Sequence, residues 1–150
     1  MNAKVVSVNI SKNKGTKKTA VESAEFVENF GIKTDSHAAD WHRQISLLAM
    51  ESINKIKNKL PDIIPGDFAE NITTEGIDLF HLPVGTRLQI GETVQEITQI
   101  GKECHHGCEI YHQVGECVMP KEGIFTRVLK GGAVKQGDSI IVISQNENAV

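Results

Sequence analysis

Thr86-Arg87-Leu88-Gln89-Ile90-Gly91-Glu92-Thr93-Val94-Gln95-Glu96-Ile97-Thr98-Gln99-Ile100 is the stretch that decides the fold class. Leu88 and Ile90 alternate with Arg87 and Gln89, the period-two pattern of a strand with one covered face. Gly91-Glu92 is a turn signal. A second run follows, with Val94, Glu96, Thr98 and Ile100 on one face and Thr93, Gln95, Ile97 and Gln99 on the other. Two runs split by a glycine turn make a hairpin, and similar runs recur along the chain.

Upstream, Val5, Val6, Val8 and Ile10 predict an opening strand that ends in a polar loop, residues 11–19. Residues 21–30 lean toward strand, and residues 31–40 read as loop. Gln44 to Leu48 is a short apolar strand running into a helix, because Met50, Ile53, Ile56 and Leu60 fall at helical spacing with Glu51, Asn54, Lys55 and Lys57 outside. Pro61 stops that helix. Pro65-Gly66-Asp67 is a turn, followed by a strand over residues 71–74. Downstream, Ile124 to Leu129 is another strand, Gly131-Gly132 and Gly137-Asp138 turn, and residues 139–144 close the core. The expected fold class is mainly β (α+β): a small barrel-like domain with one or two helices on its rim. One domain, residues 1–150, is expected, with its core over about 3–144 and residues 145–150 as a frayed tail.

Hydrophobic content of 39% is enough for one core, and the formal charge of −3 argues against a nucleic-acid binder. The basic run Lys12, Lys14, Lys17 and Lys18 reads either as a solvated loop or as a rim that attracts a phosphorylated ligand. No run reaches the ~18 apolar residues of a membrane span, and the first residues lack a signal-peptide pattern. The expectation is a cytoplasmic protein with no membrane contact, in which thiols stay reduced.

The chemistry concentrates in Gln99 to Cys117, which holds all three cysteines, three of the six histidines and the only tyrosine. Cys104 follows Gly101-Lys102-Glu103 at the end of a predicted strand. Lys102, His105 and His106 are cationic neighbours that lower a thiol's pKa. A thiolate there could ligate a soft metal or carry a persulfide sulfur; the plain alternative is a buried structural cysteine. Cys104, Cys108 and His112 recur every four residues, and with Cys117 they could form a zinc site. Gly107 and Gly115 work against the continuous helix this needs, leaving Cys108 and Cys117 as core residues.

Other clusters carry polar chemistry. Asp35-Ser36-His37 and Trp41-His42-Arg43-Gln44 combine imidazoles with a guanidinium suited to phosphate or carboxylate. Glu70 and Asn71 could read a heterocycle's donor pattern or could cap a strand. Arg127 and Lys130 with Gly131-Gly132 could hold an anion.

Taken in order, these clusters resemble the MOSC domain, named for the C-terminal part of molybdenum cofactor sulfurases. The likeness is to its short bacterial members and runs over roughly residues 3–144. It rests on Gly31-Ile32 through Asp35-Ser36-His37, Trp41 to Leu48, Gly66-Asp67-Phe68-Ala69-Glu70-Asn71-Ile72, Pro83-Val84-Gly85-Thr86, Gln99 to Cys104 and Gly123 to Leu129. The resemblance implies a barrel-like fold with a cleft for the molybdenum cofactor, a phosphorylated pterin dithiolene (molybdopterin). It places the functional cysteine, as molybdenum ligand or sulfur carrier, at Cys104, and cleft residues at His37, Arg43, Glu70, Asn71 and Arg127. Thr34 departs from the family's usual glycine, and Ala39-Asp40 from its usual small residue before the tryptophan, so the His37 loop is expected to be reshaped.

The function the resemblance implies is carriage or delivery of the cofactor or its sulfur, of sulfurtransferase type. Partners would be cofactor biosynthesis or sulfuration proteins, or a recipient molybdoenzyme. No pyridoxal phosphate site is expected, so a partner must supply sulfur. The alternatives are a molybdenum-dependent reductase of N-hydroxylated compounds with an external electron donor, and a zinc-stabilised binding module.

Overall fold

The computed structural model describes residues 3–11, 17–36, 38–101 and 119–144. Expectations for Lys12, Lys14, His37, Lys102, Cys104, His105, His106, Cys108, His112, Cys117 and the 145–150 tail lie outside the described residues.

The chain opens with β1 (Lys4–Ile10), β2 (Thr19–Val21), β3 (Ser23–Val27) and β4 (Gly31–Ile32). Next come β5 (Ile45–Ala49), α1 (Met50–Lys57), β6 (Ile72–Glu75) and a single 3-10 turn, Leu79–His81. The hairpin β7 (Arg87–Ile90) and β8 (Thr93–Ile100) follows, then a short helix α2 (Met119–Glu122), β9 (Ile124–Lys130), β10 (Gly132–Lys135) and β11 (Ile140–Ser144). The hairpin matches its prediction, with Ile90 opposite Thr93 across the Gly91-Glu92 turn. Two expectations need correction. Gly31–Ile32 in the predicted loop forms β4, and Gly132 begins a strand instead of completing a turn.

Eight strands form one sheet in the order β11-β7-β8-β9-β5-β6-β1-β2, and β10-β3-β4 form a second. The large sheet curls until β1, next to its β2 edge, meets the residue preceding β11 at one bridge, Lys4 opposite Ser139. Ile140 N donates to Ala3 O at 3.0 Å and Val5 N donates to Asp138 O at 2.8 Å beside it. That contact is not a full ladder, so the sheet is barrel-like and not a closed barrel.

The curl encloses Val5, Val8, Ile45, Leu47, Ile72, Leu88, Ile90, Ile97, Ile124 and Val128. A polar chain runs through the same interior: Thr126 Oγ1 donates to Gln95 Oε1 at 2.6 Å and Gln95 Nε2 to Thr93 Oγ1 at 2.9 Å. Buried polar groups cost little when each finds a partner.

β5 (Ile-Ser-Leu-Leu-Ala) lacks alternation because both its faces are covered. Its outer side packs with α1 through Leu48, Ile53, Ile56, Phe68 and Phe125. β5 and β6 run parallel, which a hairpin cannot achieve, and α1 supplies the crossover. The helix ends at Lys57, and Leu60, expected on its apolar stripe, packs against the same cluster from the following turn.

Candidate functional site

β8 carries a bulge. Ile97 pairs with Thr126 and Gln99 pairs with Phe125, so Thr98 is an extra residue against β9. A bulge re-aims the residues beyond it. It breaks the predicted alternation at Gln99, whose side chain meets the Trp41–Arg43 segment instead of following Gln95 and Ile97 into the core. Thr98 Oγ1 donates to the His42 carbonyl oxygen. Gln99 Nε2 donates to Gly101 O at 2.7 Å, which fixes its amide with Oε1 facing His42 Nε2 at 2.9 Å. Since Oε1 only accepts, the hydrogen in this contact belongs to His42 Nε2. Gly101 has φ +72°, and its N–H donates to Gly123 O at 2.7 Å. That positive φ is the backbone the predicted turn would use, and the residues from there to Cys104 lie outside the described residues.

Arg43 is held above two rings. Its Cζ lies 4.7 Å from the Trp41 ring centroid and 5.6 Å from that of Phe125, close enough for cation–π attraction. Its Nε is buried without a hydrogen-bond partner. Arg127 lies two residues from Phe125 on β9, so both point to the same face. Its Nε is likewise buried and unpartnered. The structure thus puts Arg43 and Arg127 on one outer surface, with Phe125 opposite Gln99 near the end of β8 and Arg127 opposite Glu96 at its middle.

Glu70 and Asn71 are buried, and Asn71 bonds Ser46, the residue directly opposite Phe125 across β5 and β9. Asn71 Oδ1 accepts from Ser46 N at 3.0 Å, and its Nδ2 donates to Asn9 O at 3.2 Å, which ties β6 to β5 and β1. Glu70 is fully buried; its Oε2 accepts from Gly66 N at 3.0 Å and Thr73 Oγ1 at 2.7 Å. Burial pushes its carboxyl above the usual carboxylate range, against the pull of the Gly66 and Thr73 hydrogen bonds. Its Oε1 has no partner. The strand-cap role is what these contacts display.

The basic run needs a correction. Lys17 is exposed, but Lys18 is not on a rim: its Nζ is 2.7 Å from Asp35 Oδ1, with side chains 0% and 1% exposed. Asp35 Oδ1 also accepts from Ser11 N at 3.0 Å. The lysine, closing a polar run, looked solvated; its carboxylate partner lies seventeen residues away. This pair anchors the loop that leads to Trp41–Arg43. Thr34 on that loop avoids positive φ; among the described non-glycine residues only Asn29 and Ala69 adopt it.

Sequence reasoning passed over His42, Gln99 and Phe125 as site residues. All three stood within quoted motifs, but their roles arise from tertiary contacts: the bulge turns Gln99 toward His42, and Phe125 lies under Arg43. No group of metal-ligating side chains forms among the described residues.

The MOSC domain family model matches residues 33–141, most of the chain, and the protein belongs to the MOSC domain family. That family is linked to molybdenum cofactor binding and sulfuration. Among solved structures, the chain is similar to the YuaD protein from Bacillus subtilis: 22% identity over 93% of this chain and 94% of that one, TM-score 0.77. It is also similar to YiiM from Geobacillus stearothermophilus, with 18% identity over 95% and 75% and a TM-score of 0.70. For YiiM from Escherichia coli the identity is 16% over 97% and 71%, with a TM-score of 0.67. These likenesses speak to the fold. No curated protein matches the chain significantly. No described helix is long and apolar enough to cross a membrane.

Proposed function

We propose that this protein handles the molybdenum cofactor, holding it on the Arg43–Phe125–Arg127 surface with Cys104 as the thiolate that ligates molybdenum or carries its sulfur. The observation that carries this reading is Arg43: a guanidinium stacked above two rings, its Nε buried and unpartnered, beside the strand end that leads to Cys104. A buried, unsatisfied donor costs about 1–3 kcal/mol. With Nε covered, the fork presents its terminal N–H groups, and an oxyanion meeting these end-on makes charge-assisted hydrogen bonds, so the donors present fit the phosphate of a pterin cofactor.

When bound, the cofactor supplies a thiophilic molybdenum centre. The chain's own residues perform the rest. Arg43 and Arg127 bind and orient the anionic end, Trp41 and Phe125 keep the Arg43 fork in place, and the His42–Gln99–Gly101 chain positions the backbone entering the Cys104 segment. His37, close to Arg43 in the sequence, is proposed as a further cleft residue. Glu70 and Asn71 support the cleft from beneath by fixing the Gly66 turn and β5. Sulfur comes from, or passes to, a partner of the cofactor biosynthesis or sulfuration class, or a recipient molybdoenzyme. No described contact favours the reductase alternative over carriage.

The test is molybdenum and zinc content, with pterin fluorescence after oxidation, of full-length protein made in a cofactor-competent host. Molybdenum and pterin are expected with the wild type, and molybdenum is expected to be lost in Cys104→Ser with melting temperature unchanged, because a hydroxyl is a poor ligand for a soft centre. Zinc without molybdenum, with Cys108 and Cys117 variants that unfold, would establish the zinc module instead.

A further inference from the structure

We propose that Arg87 joins Arg43 and Arg127 in one anion-binding surface that prefers a diphosphate to a single phosphate. The identity of the ligand rests on the cofactor-handling reading above; the geometry does not.

Arg87 lies directly opposite Glu96, and Glu96 directly opposite Arg127, across β7, β8 and β9. Directly opposed residues share a sheet face. Inner-face neighbours Leu88, Gln95, Ile97, Thr126 and Val128 are buried, so the Arg87–Glu96–Arg127 row faces outward. Strands about 4.8 Å apart put the Cα atoms of the two arginines about 10 Å apart. Phe125, under the Arg43 guanidinium, is the next outward residue on β9. All three arginines therefore border one patch of the outer surface.

Each has a buried Nε with no hydrogen-bond partner. An ordinary structural row of alternating charge would close into ion pairs with Glu96. Among the described residues no ion pair within 4.0 Å joins Glu96 to either arginine. Nε of each arginine is covered by the protein, so the terminal N–H groups, which form no ion pair with Glu96, are the donors left to meet an oxyanion. A diphosphate offers the three arginines more, and more widely spaced, terminal oxygens than one phosphate ester does. Glu96 lowers the positive field of the row and so disfavours indiscriminate anion capture.

The shared chemistry is a diphosphate ester, from either a free nucleoside diphosphate or a nucleotide-extended pterin. The experiment is calorimetric titration of the full chain with sodium phosphate, sodium pyrophosphate and ADP. Wild-type protein is expected to bind pyrophosphate about tenfold or more tightly than phosphate. Arg87→Gln should remove most of that preference and leave phosphate binding within about twofold. Arg87→Lys should resemble Arg87→Gln, since charge without the fork is not sufficient, and Glu96→Gln should tighten pyrophosphate binding. ADP binding as tight as pyrophosphate identifies the nucleoside diphosphate source; nucleotide released from cell-purified, pterin-bearing protein identifies the extended pterin. Equal wild-type affinity for phosphate and pyrophosphate, or pyrophosphate binding by Arg87→Gln like that of the wild type, overturns the proposal. A protein without molybdenum that keeps the pyrophosphate preference removes the cofactor reading alone; a molybdenum-loaded protein without the preference removes this one alone.

Discussion

Lys18→Met is expected to be among the most damaging single changes at a residue that touches no proposed ligand. The Lys18–Asp35 contact is 2.7 Å long, and both side chains are sealed from water. Removing one partner of a buried pair strands the other charge and costs about 3–5 kcal/mol. Whole-domain stabilities run at about 5–15 kcal/mol, so the loss is a large share of the total. The Lys18 main-chain N–H donates to Gly66 O at 2.9 Å and is untouched by the substitution, which isolates the side chain's contribution. Asp35→Asn strands the ammonium and should also destabilise, while the double variant should be much less destabilised than the sum of the singles. Urea unfolding followed by far-UV circular dichroism at pH 7 gives all four corners of the cycle. A coupling below about 1 kcal/mol, the value of an exposed pair, would refute the reasoning.

Glu70 gives a pH signature. Burial raises its carboxyl above the ordinary value, so its contribution to stability is fully present below the unfolded-state pKa of about 4.5 and is lost as pH rises through the folded value. Glu70→Gln should therefore gain on the wild type as pH climbs from about 4 toward neutrality; parallel stability curves for the two would contradict this. Ala69 sits at φ +64°, and Ala69→Gly should stabilise by about 0.5–1 kcal/mol in the same urea assay. Gly66→Ala should destabilise strongly, because a Cβ there would run into Lys18 O at a φ of +97°; a melting temperature within about 1 °C of the wild type, less than 1 kcal/mol would shift it, would count against it. Arg43→Lys should weaken cofactor retention about tenfold, or 1.4 kcal/mol, through loss of the planar fork, measured as molybdenum per chain after dialysis.

The local pattern was legible where covalent neighbours decide the outcome. The alternation in β7 and β8 and their glycine turn specified the hairpin, and Met50, Ile53 and Ile56 specified α1. The ordered motifs from Gly31 to Leu129 identified the family. Gly132 was misread because a glycine marks a turn locally, yet here it pairs with Phe26 on β3 in a second sheet. The site was only partly legible. Arg43 and Arg127 could be picked out as guanidiniums, but what joins them is Phe125, which stands eighty-two positions from Arg43. Lys18 read as solvated and is buried, because its partner Asp35 arrives through chain folding. Gln99 read as a residue of the Gln95 face until an extra residue at Thr98 turned it toward His42. Arg87 and Glu96 looked like solvent-facing positions of a hairpin; the β8–β9 register sets them in line with Arg127. Periodicity and turn chemistry are local and can be read along the chain. Register, burial and charge pairing depend on which distant segments meet, so only the tertiary structure decided them.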